Sequence, residues 1–177
     1  RVLFRSVFAH CMGAEAALVR PQFMSGTHTL TVALFGLLRT GDTLLAATGR
    51  PYDTLEGVIG IGDAGKGCGT LREFGVNYDE CPLLPDFTPD YDLIAEKAKT
   101  ATVVHIQRSR GYTQRNAFDL ATIQKVADTA RKANPNAVIF VDNCYGEFTQ
   151  TAEPVAFGAD IMAGSFIKNP GGGITPT

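Results

Sequence analysis

The sequence has little of several features that mark particular classes of protein. No apolar run approaches the about 20 residues that a membrane-spanning helix needs, so no such helix is predicted. Charged residues make up only 19% of the chain and the net charge is -2, which gives no support for binding to nucleic acid or to an anionic membrane. The four cysteines include no Cys-x-x-Cys pair. We therefore expect neither a metal site nor a disulfide framework, but free, mostly buried thiols in a reducing cytoplasm.

The ends of the chain carry neither an initiator methionine nor a signal peptide. Residues 1–6 resemble the translation of a sequencing adapter, so we expect them to be non-native. Residues 7–177 are expected to be the central part of a larger protein. The chain's 177 residues, 45% of them apolar, suffice for one globular domain with its own core.

Apolar runs of strand length alternate with amphipathic segments of helix length along most of the chain. This alternation predicts an α/β fold with a mostly parallel sheet and helices on both faces. The predicted helices span residues 7–19, 29–39, 52–59, 90–98 and 119–132, and the predicted strands span residues 43–47, 76–81, 101–106, 137–141 and 160–164.

Polar residues follow several of the predicted apolar runs directly. Ligands of parallel α/β sheets bind beyond the carboxyl ends of the strands, so the chemistry should be sought where such polar stretches begin. The candidate places are the residues after Val19 and the stretches 107–112, 142–145 and 165–168.

Lys168 is the first candidate for a catalytic residue. It follows Phe166 and Ile167, and we expect these apolar neighbours to desolvate its ammonium group, lower its pKa and free the amine for Schiff-base chemistry. Ser165, three residues earlier, carries a hydroxyl that can bind a phosphate. The alternative is a surface lysine whose stem covers apolar atoms.

Asp142 ends a strand that is rich in β-branched residues, and an acid in such a place needs a cationic partner. A pyridinium nitrogen is one such partner, because a charge-assisted hydrogen bond keeps the ring protonated. Tyr145 lies within reach of a phenolic oxygen on the same ring. The alternative is an aspartate that caps a helix, followed by a tyrosine that packs.

The stretch from Ser25 to His28 opens a predicted helix, whose free N–H groups attract anions. Gly26 lets a phosphate approach the backbone closely. Tyr52 follows a strand and a turn, where its ring can stack on another ring. A phosphate cradle, a stacking ring, a pyridinium partner and an amine together are what pyridoxal 5'-phosphate (PLP) requires of a protein.

Five stretches of the chain resemble the aluminium-resistance, or methionine gamma-lyase-like, family of fold-type I PLP-dependent enzymes. The resemblance implies the fold of the PLP-dependent transferase large domain, with the smaller C-terminal domain missing. The glycine-rich segment 62–69 is irregular for that family. The stretches that carry the resemblance are residues 19–28, 49–56, 107–112, 141–148 and 164–173.

The resemblance also implies roles for individual residues. Lys168 would bind PLP covalently, and Asp142 would pair with the pyridine nitrogen. Tyr52 would stack on the ring and Tyr145 would approach its hydroxyl. The phosphate would be bound by Ser25, Gly26, Thr27 and Ser165, and the candidates for contact with the substrate are Arg108, Arg110 and Tyr112.

The function implied by the resemblance is that of a carbon–sulfur lyase acting on a cysteine- or methionine-like amino acid, with a link to aluminium resistance. An aminotransferase is the alternative, because the same residues serve both reactions. Relatives share their sites across a dimer, so a homo-oligomer (dimer or tetramer) is expected. The smaller domain supplies the arginine for the substrate carboxylate, so residues 1–177 alone should not turn over substrate efficiently.

Two further interpretations belong to other classes of protein. Gly60 to Gly65 spell G-x-G-x-x-G, which would bind a dinucleotide if a strand preceded it and a helix opened at its last glycine. Lys66 nearly completes a P-loop, but Gly67 stands where a serine or threonine would bind Mg²⁺. A non-catalytic binding or stress-response module on a PLP fold is the other alternative, against which the presence of both Lys168 and Asp142 argues.

Overall fold

The computed structural model describes residues 2–63, 66–169 and 171. Two short 3₁₀ turns, Ala98–Thr100 and Pro154–Phe157, accompany the main elements. The helices are α1 (Val2–Cys11), α2 (Gly26–Leu37), α3 (Asp53–Ile59), α4 (Tyr91–Lys97) and α5 (Leu120–Ala133). The strands are β1 (Thr43–Ala46), β2 (Asn77–Glu80), β3 (Val103–Gln107), β4 (Val138–Asp142) and β5 (Ile161–Ala163).

The five strands form one sheet in the order β2-β1-β3-β4-β5, and every neighbouring pair is parallel. The register places Gln107 of β3 beside Asp142 of β4, and Asp142 beside Ala163 of β5. The prediction of an α/β fold with a mostly parallel sheet is confirmed. The carboxyl ends of β3, β4 and β5 consequently meet at one edge of the sheet.

Apolar side chains fill both faces of the sheet. Val104 and Ile139 belong to the cluster that contains Ile123 of α5, whereas Phe140 belongs to the cluster that contains Leu30 of α2. These five side chains are fully buried, each contributing about 1.5–3 kcal/mol of transfer free energy. The prediction of helices on both faces is confirmed.

The local sequence explains where α5 begins and ends. Asp119 caps its first turn by accepting a hydrogen bond from the Thr122 N–H at 2.8 Å, and basic residues occupy the last turn, where they complement the helix dipole. Its buried residues lie three to four positions apart and face the sheet. They are Leu120, Ile123, Val126, Ala127 and Ala130.

The helix predicted over residues 7–19 is wrong in extent. Helix α1 already ends at Cys11, and residues 14–20 form no helix. Gly13 has a φ of +63°, a left-handed conformation that stops a helix and that glycine adopts without strain. The alanine-rich composition that suggested a longer helix is thus overridden by one glycine.

Within the described residues, no helix is long and apolar enough to cross a membrane.

The pleat of the strands decides which face carries the candidate site. Side chains alternate between the two faces, so Asp142 points to the same face as Phe140, and Gln107 to the same face as Val103. Both Phe140 and Val103 belong to the cluster under α2 and α3. The polar ends of β3 and β4 therefore lie on the side of the sheet that carries the amino terminus of α2.

Candidate active site

The first residue of α2 closely approaches the turn that carries Lys168. A Cβ atom at Gly26 would lie 3.2 Å from Cys144 Sγ, 3.3 Å from Ser165 Cβ and 3.8 Å from Lys168 Nζ. Glycine at this position therefore leaves room between the helix end, the loop after β4 and the lysine turn. Three stretches that are distant in sequence meet here, as predicted from their places after apolar runs.

Lys168 has an exposed side chain whose Nζ lies 4.9 Å from the centre of the Tyr145 ring. Burial of its stem lowers the pKa of the amine, but the acidic groups of Cys144, Tyr145, Tyr52 and Asp142 outweigh this, and the net pKa is raised. The expectation that desolvation alone lowers the pKa is therefore wrong for the unmodified amine.

Asp142 is the buried acid of the site, with 1% of its surface exposed. Its Oδ1 accepts a hydrogen bond from the Cys144 N–H at 3.0 Å. His105 of β3 pairs in register with Phe140 and points to the same face of the sheet as Asp142. Burial lowers the pKa of His105, although the charge of Asp142 acts to raise it. A neutral His105 leaves the carboxylate of Asp142 free to pair with another cation.

The hydroxyl groups at the start of α2 bind protein atoms. Ser25 Oγ accepts the His28 N–H at 3.1 Å and caps the helix. Thr27 Oγ1 lies 3.2 Å from the Tyr52 hydroxyl and 3.1 Å from Thr54 Oγ1. Ser25 and Thr27 thus shape the helix start, so their predicted contact with phosphate remains a prediction.

Tyr52 lies next to the start of α2, where its hydroxyl contacts Thr27. Its backbone N–H donates to Gln107 Oε1 at 3.0 Å, which ties the start of α3 to the end of β3. Burial raises the pKa of its phenol, so the hydroxyl stays protonated at neutral pH. The structure therefore brings Tyr52 to the edge where β3 and β4 end, while its predicted stacking on a ring remains a prediction.

Arg108 is buried, and its guanidinium binds acceptors of the protein itself. It is 4% exposed, and its Nη1 donates to Asn143 Oδ1 at 2.7 Å and to Gly146 O at 3.0 Å. Its Nε donates to Phe118 O at 3.3 Å and its Nη2 to Gln150 Oε1 at 2.6 Å. The donors of Arg108 thus bind the protein itself, and the prediction that Arg108 or Arg110 meets a substrate carboxylate stays a prediction.

Replacing Arg108 with alanine should lower the free energy of unfolding by about 3–5 kcal/mol, since it leaves buried acceptors without their charged donor. Arg110, exposed two residues later, is the control and should change stability by less than about 0.5 kcal/mol when replaced by alanine. Urea unfolding of the full-length protein measures both. Equal destabilisation by the two variants would refute the structural role of Arg108.

Arg110 and Tyr112 lie on the loop after β3 and have exposed side chains, with 89% of Tyr112 in solvent. Arg115 stabilises this loop, because its Nη2 donates to the carbonyl groups of Gln107 and Ser109. Burial lowers the pKa of Arg115 to about 10. Of the two arginines predicted to meet a substrate, Arg110 is the one whose guanidinium is accessible.

The loop after β4 holds a second buried acid, Glu147. Its Oε1 accepts the Ser165 N–H at 2.7 Å, and its Oε2 has no hydrogen-bond partner in the part of the chain that the structure describes. Burial, with smaller contributions from Asp142 and Glu153, raises the pKa of Glu147 to about 7. Arg108 is near enough for its positive charge to interact with Glu147.

Glu147 should make the protein less stable as the pH rises from about 4.5 to about 7, because the folded state holds a proton there that the unfolded state has lost. The fall should be on the order of 2–3 kcal/mol. Urea unfolding of the apo full-length protein at both ends of this window measures it. The Glu147→Gln variant should show a smaller fall, and an identical fall in both proteins would contradict the assignment.

Three residues of the site escaped prediction from sequence: Cys144, Glu147 and Arg115. Cys144 is buried against Gly26, and burial raises the pKa of its thiol. Glu147 could have been found as a charged residue in a stretch directly after a strand. Cys144 lies within the candidate stretch 142–145, whereas Arg115 gave no such signal. Of the cysteines, Cys81 and Cys144 are buried, whereas Cys11 and Cys68 are exposed, so the expected burial holds for half of them.

The glycine motif from residue 60 to 65 does not have the surroundings that nucleotide binding requires. It follows α3 rather than a strand, and Gly60 ends that helix with a φ of +89°. Residues 64 and 65 lie outside the described residues, and residues 66–76 are turns, a bend and chain without regular secondary structure. The nucleotide-binding alternative is therefore wrong in its structural premise.

The residues around Lys168 fit PLP. Ser165 Oγ is buried and has no hydrogen-bond partner among the described residues, so it retains its capacity to bind a phosphate oxygen. Gly26 keeps the helix end open beside it. Asp142 would supply a buried carboxylate for a protonated ring nitrogen, and Lys168 would supply the amine.

Comparison with known proteins agrees with this arrangement. Residues 1–177 match the family model described as methionine gamma-lyase. YnbB of Bacillus subtilis (strain 168), an uncharacterized protein, is 47% identical over 178 residues, which cover 100% of this chain and 42% of YnbB. The chain thus spans less than half the length of this relative.

Solved structures give the same result. A carbon-sulfur lyase involved in aluminum resistance from Clostridium novyi NT is 47% identical, with a TM-score of 0.91 over 98% of this chain and 41% of that one. The pyridoxal-5'-phosphate dependent protein YhfS from Escherichia coli shares the fold at 19% identity, with a TM-score of 0.64 over 89% of this chain and 37% of that one. The match of the family model over the whole sequence, together with these likenesses, establishes that the chain belongs to the methionine gamma-lyase family.

Proposed function

We propose that the full-length protein is a PLP-dependent carbon–sulfur lyase of fold-type I that acts on a cysteine- or methionine-like amino acid. Membership of the methionine gamma-lyase family supports the reaction class, and the Clostridium novyi structure, described as a carbon-sulfur lyase, supports it further. The link to aluminium resistance comes from the description of that same neighbour.

One observation carries the proposal: an amine, a buried carboxylate and a buried hydroxyl that has no partner among the described residues share one edge of a parallel sheet. Lys168 Nζ, Ser165 Cβ and the start of α2 at Gly26 lie within 4 Å of a common point. Asp142 is close enough for its charge to raise the pKa of Lys168. A plain surface lysine would not bring these groups together.

Each residue has a distinct task in this proposal. When bound, PLP draws electrons away from the substrate's α-carbon. The amine of Lys168 holds the cofactor and, once released, accepts the proton from that carbon. Asp142 keeps the ring nitrogen protonated, while Ser165 and the N–H groups at the start of α2 bind the phosphate. Tyr52 and Tyr145 orient the ring.

The full-length protein, with PLP added, should release a 2-oxo acid, ammonia and a thiol or thiol-bearing product from methionine, cystathionine or cysteine. The measurement is a direct assay of the three products with each amino acid, with Lys168→Ala as the inactive control. Transfer of the amino group to a keto acid without ammonia would contradict lyase activity and favour an aminotransferase.

A homo-oligomer is part of the proposal, and the mass of the full-length protein in solution tests it.

A further inference from the structure

We propose that Glu147 is the positioning residue of the lysine turn: its carboxyl group and its backbone carbonyl together hold Ser165 and Asn169, which begin and end the turn that contains Lys168. This inference rests on the proposed function, because it gives Glu147 a task only if Lys168 and Ser165 bind the cofactor. Glu147 lies in the loop after β4, 21 positions before the lysine.

The side chain of Glu147 binds the beginning of the turn. Its Oε1 accepts the Ser165 N–H at 2.7 Å, and both residues are buried, with 2% of each exposed. The carboxyl group lies directly against Gly164, where a Cβ atom would have no room. The backbone that leads into Ser165 is therefore fixed by this acid.

The main chain of Glu147 binds the end of the turn. Its carbonyl oxygen accepts a hydrogen bond from Asn169 Nδ2. The turn is closed internally by Ser165 O, which accepts the Lys168 N–H at 3.0 Å and the Asn169 N–H at 3.1 Å. Lys168 thus lies in a turn whose first residue, Ser165, and last residue, Asn169, both donate hydrogen bonds to Glu147.

Glu147 is itself held in place from the far side. Arg108 Nη1 donates to the carbonyl of the preceding residue, Gly146, at 3.0 Å, and a Cβ atom at Gly146 would collide with the Arg108 side chain. A continuous series of contacts therefore runs from the end of β3 through Arg108 and Glu147 to Ser165 and Lys168. Because these contacts are buried, the position of Lys168 depends on the carboxyl group of Glu147.

A merely structural role for Glu147 predicts a different behaviour. Loss of a buried carboxyl group would then lower stability without altering how the cofactor binds. Asp160 is the control, because its Oδ2 also accepts a backbone N–H at 2.7 Å, that of Ile139, at the amino ends of β4 and β5. Asp160→Ala therefore removes the same kind of bond away from the lysine turn, together with an exposed ion pair to Arg131.

The experiment titrates PLP into the apo full-length protein and follows the visible absorbance band of lysine-bound cofactor. Glu147→Ala should weaken PLP binding about tenfold, equivalent to about 1.4 kcal/mol, and should lower the fraction of cofactor bound covalently at saturation. Glu147→Gln, which keeps an oxygen acceptor for the Ser165 N–H, should stay within about threefold of wild type. Asp160→Ala should also bind PLP as wild type does.

Two results would overturn the inference: wild-type PLP binding by Glu147→Ala, or equal weakening by Glu147→Ala and Asp160→Ala. If Glu147→Ala does not fold, Glu147→Asp replaces it, because the shorter side chain withdraws the acceptor from Ser165 and should act in the same direction. Absence of the band in wild type would refute the proposed function and this inference with it. A normal wild-type band with unaffected Glu147 variants would refute this inference alone.

Discussion

Replacing Lys168 with alanine in the full-length protein should lower kcat/KM for the sulfur-containing substrate by at least about 10³-fold. The amine is proposed both to bind PLP covalently and to accept the proton from the α-carbon, and loss of a general base alone costs about 10²–10⁴-fold. Steady-state kinetics with saturating PLP measure the effect.

The matched control for this variant is Lys132→Ala. Lys132 is an exposed lysine in the last turn of α5, on the opposite face of the sheet. Its replacement should leave kcat/KM within about twofold of wild type and stability within about 0.5 kcal/mol. Activity of Lys168→Ala within about tenfold of wild type would mean that another group performs the chemistry.

Asp142→Asn should lower kcat by about 10²-fold or more, with a smaller effect on PLP affinity. The asparagine keeps an oxygen for the Cys144 N–H, so the local fold is retained, but a neutral amide does not keep the ring nitrogen protonated. Steady-state kinetics at saturating PLP, paired with a PLP titration, separate the two effects.

Asp128→Asn is the control for loss of a carboxylate. Asp128 is exposed on α5 and should give wild-type kinetics when neutralised. If Asp142→Asn retained more than about a third of wild-type kcat, the buried carboxylate would have no electronic role.

The sheet and its helices were largely predictable from local patterns. Short apolar runs such as Val103–Gln107 and Val138–Asp142 are buried on both faces and read as parallel strands. Helix α5 repeats its apolar residues with a helical period. Helix α1 was the exception, because the left-handed conformation of Gly13 outweighs the helix propensity of the alanines that follow it.

The candidate site was predictable only where residues directly follow strands. Asp142 comes at the end of β4 by register, and Gly26 begins α2 behind a serine cap, so both positions could be inferred. The role of Arg108 could not, since it depends on the loop 143–150 folding back to supply acceptors for its guanidinium. The raised pKa of Lys168 likewise comes from groups brought near it by two separate segments, residues 142–145 and the start of α3.

The most direct test of the account is to reduce the PLP-loaded full-length protein with borohydride, digest it and identify the modified peptide by mass spectrometry. The reduction fixes any imine between PLP and an amine as a stable secondary amine. We expect one phosphopyridoxyl group, carried by Lys168, and none after digestion of Lys168→Ala. Modification of a different lysine, or no modification of a protein that has bound PLP, would contradict the central claim.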